Sequence, residues 1–208
     1  CRTLAAGSGP LAIDAERASG FTYSQRAYLI QVYRREAGTF LFDPPAIGDM
    51  SALTRLCADQ EWILHAASQD LACLREVGID PPRIFDTELS ARLLGLERVG
   101  LGSVVEALLD IHLAKEHSAV DWSIRPLQDS WLEYAALDVD VLHDLADALL
   151  LDLESQNKTA YAMQEFEHLL NFKPKAEKPD KWRGVSGLHE VKDQKGLAIA
   201  RALWQARE

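Results

Sequence analysis

Cysteine is scarce in this chain: Cys1, Cys57 and Cys73 are the only three among 208 residues. An odd count with no Cys-x-x-Cys spacing argues against both a disulfide framework and a cysteine zinc site, so the three read as ordinary thiols. Long apolar runs are lacking too. Nothing approaches the roughly 18 consecutive apolar residues that cross a bilayer, and the first residues show no charged-then-apolar secretory pattern. A soluble, cytoplasmic protein with no membrane partner is the expectation. Positive charge is in deficit, since 22 Lys and Arg face 32 Asp and Glu for a net charge of -10. That balance argues against a protein basic over its whole surface, and leaves room for a local groove. Internal repeats and low-complexity tracts are absent. The chain opens on Cys1 with no methionine, which leads us to expect residues ahead of it.

What is present is core material. Hydrophobic residues make up 48% of a length that suits one substantial domain and a fragment of a second, and a domain of this size buries about 70% of its surface. Ser8 to Pro10 reads as a turn ahead of a strand centred on Leu11 and Ile13. Gln25 to Tyr33 and Thr39 to Asp43 read as two further strands, and connections this short require an antiparallel meander. Pro44-Pro45 stops it. Helical spacing marks Asp49 to Asp59, and Trp62 to Ala66 reads as a buried strand. Ser68 is placed to cap a helix ending at Gly78. Ile84 to Thr87 ends another strand, with Thr87 as the cap of a helix over Glu88 to Leu94. Strand, helix, strand is a parallel crossover, so the sheet is mixed. Helices follow over Ser103 to Leu109, most of Asp129 to Glu154, and Thr159 to Phe172. Lys173 to Lys181 holds two prolines and four lysines and reads as a linker, with a last helix over Gly196 to Arg207.

Three groups of residues suggest chemistry. Asp14 and Glu16 are two apart, so on a strand their carboxylates share one face. Packed side by side they repel and lose hydration, which calls for a divalent cation; alternatively the strand ends at Ile13 and both lie in solvent. Asp70 falls in the first turn of a helix just past a strand end, either as a functional acid or as a partner of the helix dipole. Tyr134 and Asp138 stand one helical turn apart on one face, an arrangement that also suits a purely structural hydrogen bond. Basic residues cluster at Arg34 and Arg35 and at Lys173, Lys175, Lys178, Lys181 and Arg183, as a nucleic-acid contact or as a solvated tether.

Taken in order, the Asp-x-Glu of the first strand, the Asp after the fourth and the late Tyr-x3-Asp resemble the DEDD superfamily of 3′-to-5′ exonucleases, in its tyrosine-bearing subclass. His65-Ala-Ala-Ser-Gln-Asp70-Leu71, Asp86-Thr87, Asp121-Trp-Ser-x-Arg125-Pro-Leu127 and Tyr134-Ala-Ala-Leu-Asp138-Val139 narrow the resemblance to ribonuclease D over about residues 10 to 172. The tail from Trp182 to Glu208 resembles the start of an HRDC module. The resemblance implies an α/β, ribonuclease H-like (DnaQ-like exonuclease) fold, a mixed five-stranded sheet flanked by helices and followed by a helical tail. It divides the chain into an exonuclease domain (1-172), a basic linker (173-181) and the incomplete module (182-208).

The same resemblance implies that Asp14, Glu16, Asp70 and Asp138 hold two Mg²⁺ or Mn²⁺ ions while Tyr134 orients the attacking water. The partner it implies is the single-stranded 3′ end of RNA, such as a tRNA precursor, trimmed to nucleoside 5′-monophosphates. His65, Arg125 and the basic residues from Lys173 to Arg183 are the candidate RNA contacts. A DNA exonuclease of the same fold and a non-catalytic RNA-binding module are the alternatives, and no feature names a protein partner.

Overall fold

The computed structural model describes residues 1–22, 25–113, 120–171 and 180–207. Its centre is a five-stranded sheet: β1 (Ser8–Glu16), β2 (Leu29–Arg35), β3 (Gly38–Phe42), β4 (Glu61–Leu64) and β5 (Arg83–Asp86). The order is β3-β2-β1-β4-β5, antiparallel from β1 to β3 and parallel from β1 through β4 to β5. The mixed sheet expected from the sequence is therefore present. β1 lies in the middle, at the point where the chain's path across the sheet reverses, and open α/β sheets place their ligand crevice at the carboxyl ends of strands flanking such a point.

The helices are α1 (Arg2–Ala6), α2 (Pro44–Ile47), α3 (Ser51–Cys57), α4 (Ala67–Glu76), α5 (Thr87–Leu94), α6 (Leu101–Leu109), α7 (Asp129–Asp140), α8 (Leu142–Ser155), α9 (Thr159–Asn171) and α10 (Gln194–Arg207). α7 lies along β1, β2 and β3, while α8 meets β4 and α9 meets β5. Both pleat directions of β1 are apolar and buried, since Leu11 and Ile13 alternate with Ala12. That is the pattern of a strand covered on both faces. Each fully buried aliphatic side chain contributes roughly 1.5–3 kcal/mol. Trp62 is also fully buried, and its indole N–H donates to Cys57 O at 3.2 Å, tying the end of α3 to β4.

Several local expectations are corrected. β1 begins at Ser8 rather than after a turn, with an irregular register between Ser8 and Ala12 where Gly9 takes a φ of 73°. Pro44 and Pro45 stop β3 and also open α2, because proline fits the first helical turn and Asp43 accepts from Ala46 N at 3.2 Å. The helix expected from Asp129 to Glu154 is divided at Val141, which lets α7 follow one set of strands and α8 another.

Ser68 does not cap α4. The helix starts after Ala66, a non-glycine residue at φ 62°, and the side chain of Asp86 accepts from Ala66 N and Ala67 N at 3.2 and 2.8 Å. Asp86, not Thr87, also caps α5 by accepting from Leu89 N at 3.0 Å. One buried carboxylate at the end of β5 thus fixes the starts of two helices. Beyond α9, Trp182 sits in a short 3₁₀ turn (Lys181–Gly184) that α10 packs against. Gly196 permits that tail to close, since a Cβ there would lie 2.6 Å from Val191 Cγ1.

Candidate active site

The pleat of β1 sends Asp14 and Glu16 to one side, where α7 lies. Asp14 is directly opposite Gln31 of β2, and Glu16 is opposite Leu29. Gln31 is fully buried and its amide N–H donates to Glu16 Oε1 at 3.3 Å, holding that carboxylate from the neighbouring strand. Across from them, one turn of α7 presents Tyr134 and Asp138. Carboxylate oxygens of Asp14, Glu16 and Asp138 all lie within 4.8 Å of one another. Tyr134 donates its hydroxyl hydrogen to Asp138.

α7 is held in this position by contacts remote from the carboxylates. Trp122 and Trp131 pack edge to face with ring centroids 5.7 Å apart, in a cluster with Leu29 and Ala135. At the other end the Thr39 hydroxyl donates to Asp140. Arg125 fastens the loop ahead of α7: its Nε and Nη2 grip the Asp43 carboxylate at 2.7 and 2.9 Å, and its other N–H groups reach the carbonyls of Trp122, Ile124 and Tyr28. Those five bonds use all five donors of a guanidinium. In this arrangement Arg125 is a fastener, with no donor left over for RNA.

Asp70 arrives from the other side, in the first turn of α4. It is buried, lies within hydrogen-bond reach of Asp14 and stands 3.6 Å from Arg17. His65 lines the same cleft, and its Nδ1 lies 2.8 Å from the Thr87 hydroxyl. Burial holds the imidazole down to about 4, so it is neutral near pH 7 and offers a phosphate no charge.

Lys173, Lys175 and Lys178 fall outside the described residues. Lys181 and Arg183 belong to the 3₁₀ turn, where Arg183 stacks 4.6 Å from the Trp182 ring and its Nε donates to Asp180 at 3.3 Å. Two residues at the site were not singled out from the sequence, Gln31 and Arg17. A glutamine inside the apolar run Leu29-Ile30-Gln31-Val32 was the available signal for the first, and adjacency to Glu16 for the second.

The cleft enclosed by these residues has a volume of about 250 Å³. Burial is the largest reason its acids resist ionisation, and for Glu16, Asp70 and Asp138 the charge of Asp14 is the next. Glu16 is pushed up to about 9 by burial and by Asp14, Asp138 and Asp70. Asp138 is pushed up to about 7 by burial and Asp14, against the pull of the Tyr134 hydrogen bond. Asp14 and Asp70 are raised chiefly by burial as well. Carboxylates crowded this closely without matching cations form a donor set of hard oxygens, which suits Mg²⁺ or Mn²⁺ and not a soft metal. Each deprotonation that burial opposes is favoured once a divalent cation shares the charge. The residues therefore fit the metal that such a cluster calls for.

A family of 3′-5′ exonucleases matches residues 1–154. The chain belongs to that 3′-5′ exonuclease family, whose members depend on divalent metal. Within it, the similarity is to ribonuclease D. The ribonuclease D of Psychromonas ingrahamii is 32% identical over 197 residues, covering 93% of this chain and 53% of that protein. Among solved structures, a protein from Bifidobacterium adolescentis superposes with a TM-score of 0.87 at 46% identity, covering 98% of this chain and 51% of that one. Escherichia coli RNase D, an exoribonuclease involved in structured RNA processing, superposes at 0.77 with 30% identity over 92% of this chain and 52% of its own. The chain spans about half the length of these relatives. Among the described residues no helix is long and apolar enough to cross a membrane.

Proposed function

We propose that this chain carries the nuclease of a ribonuclease D-like 3′-5′ exoribonuclease, which removes nucleoside 5′-monophosphates one at a time from single-stranded RNA ends such as those of tRNA precursors. The observation that supports it most is the meeting of Asp14, Glu16 and Asp138 within 4.8 Å, with Tyr134 bonded to the last of them. Asp14, Glu16, Asp70 and Asp138 would hold two Mg²⁺ or Mn²⁺ ions. When bound, such a pair supplies Lewis-acid stabilisation of the attacking and leaving oxygens in an in-line phosphoryl displacement.

The protein's own part is positioning. Water forms a bond to phosphorus, the P–O3′ bond breaks, and the released 3′ oxygen takes a proton, so the departing nucleotide keeps its 5′-phosphate. Tyr134 is held far above the usual phenol range by burial and Asp138, so its hydroxyl stays protonated and acts as a hydrogen-bonding group, not a base. A phenol that donates its hydrogen to Asp138 can also accept from a water through its oxygen and aim it. Gln31 keeps Glu16 turned toward the cleft, and Asp86, by fixing the start of α4, places Asp70.

We further propose a nuclease unit ending near residue 172, a basic linker from 173 to 181, and a tail from 182 that begins an HRDC-like module. Lys173, Lys175, Lys178, Lys181 and Arg183 would add phosphate contacts outside the cleft. The test uses 5′-labelled single-stranded RNA and DNA of one sequence, with Mg²⁺ and with chelator, resolved by length. A one-nucleotide ladder from RNA that needs Mg²⁺ supports the reading. Faster shortening of DNA would favour the DNA exonuclease, and binding with no shortening would favour the non-catalytic module.

A further inference from the structure

Arg17 directly follows Glu16. Its side chain lies in the same cleft as the carboxylate pair and reaches across to α4. Its Nη1 donates to Gln69 O at 2.7 Å, which anchors the guanidinium, and Nη2 lies 3.4 Å from Gln69 Oε1. The nearest approach to Asp70 is only 3.6 Å. A guanidinium built to neutralise a carboxylate sits closer and in two-pronged fashion. Arg125 does so with Asp43 in this same molecule, at 2.7 and 2.9 Å. Arg17 is therefore tied to the main chain and only loosely to the acid beside it.

Its position is at a junction. Arg17 lines the carboxylate cleft of about 250 Å³ and also the adjoining hollow of about 320 Å³ formed with Ser19, Gly20, Phe21 and Val120. Among the described residues it is the one Lys or Arg lining either space. A strand whose last linkage lies over the carboxylates must carry its next negative phosphate past this acidic region. At that junction a cation with N–H groups to spare is the available partner.

We propose that Arg17 binds the RNA phosphate immediately upstream of the linkage being cut, a reading that rests on the exoribonuclease function proposed above. It is a substrate-gripping residue and not a structural counter-ion of Asp70. Arg17→Gln removes the charge and Arg17→Lys keeps it without the fork. Single-stranded RNA, 5′-fluorescent, is bound to parent and variants with Ca²⁺ in place of Mg²⁺ to withhold turnover. A second RNA carries one neutral methylphosphonate at the upstream phosphate.

With ordinary RNA, Arg17→Gln weakens binding about tenfold and Arg17→Lys by less, and loss of one single-strand phosphate contact lowers the salt slope by roughly 0.7. With methylphosphonate RNA, the parent is weakened to the level of Arg17→Gln and the variant loses nothing further. Equal losses by Arg17→Gln on both RNAs, or no loss on either, would overturn the proposal. Parent protein that fails to bind overturns it as well. If the parent binds with the charge-sensitive pattern yet does not shorten the RNA in Mg²⁺, the exoribonuclease reading fails and the Arg17 contact stands.

Discussion

Changing Asp138 to Asn should make the metal-free protein more stable while removing its activity. The Asp138 carboxyl rises from 3.8 to about 7 on folding, mainly through burial and then through Asp14. A raised acid opposes folding only when it is charged. The penalty is absent below about pH 4, grows as the pH passes from about 4 to about 7, and is constant above. At about 1.4 kcal/mol per pH unit the rise sets a ceiling of about 4 kcal/mol. Water reaching this half-buried group reduces that to roughly 1–3 kcal/mol.

Asparagine keeps the acceptor for Tyr134 and loses the charge. In chelator at pH 8, melting of Asp138→Asn should therefore lie roughly 2–12 °C above the parent, since 1 kcal/mol moves the midpoint by about 2–4 °C at this size. At pH 4 the two should melt together. Saturating Mg²⁺ should reverse the order at pH 8, because a cation at 100 times its dissociation constant stabilises the parent by about 2.7 kcal/mol and the variant lacks a ligand. Equal or lower melting of the variant at pH 8 without metal would refute the reasoning that these acids repel.

Glu16→Gln should behave likewise over a higher window, with its stabilisation in chelator still growing between pH 7 and 9, because Glu16 is pushed up to about 9; a gain complete by pH 6 would contradict this. Tyr134→Phe should lower the single-turnover rate by about 10² with RNA affinity little changed, whereas a loss confined to binding would make Tyr134 a substrate contact. Arg125→Ala, which removes five hydrogen bonds and the partner of Asp43, should lower stability by about 2–3 kcal/mol in urea unfolding. An unchanged midpoint would remove Arg125 from the fastening role.

The parts of this molecule legible in the sequence are those written in local spacing. Alternation placed Asp14 and Glu16 on one face, a helical turn placed Tyr134 beside Asp138, short connections fixed the antiparallel meander, and the strand-helix-strand order fixed the parallel crossover. The parts that were not legible depend on residues distant in the chain. Ser68 looked like the cap of α4 because its own neighbours allowed it, yet Asp86, 18 positions further on, supplies the acceptor. Arg125 reads from the sequence as a candidate RNA contact, and only folding brings Asp43 and Tyr28 to it. Gln31 and Arg17 acquire meaning through a neighbouring strand and a helix respectively.

The central claim is that the carboxylate cluster drives metal-dependent removal of 3′ nucleotides. Asp14→Asn tests it most directly, because this residue borders Glu16, Asp70 and Asp138 alike. Turnover of 5′-labelled single-stranded RNA in saturating Mg²⁺ is compared between parent and variant, with melting measured on both. The account predicts near-abolished shortening in a protein that still melts cooperatively. Turnover within a few fold of the parent would contradict it.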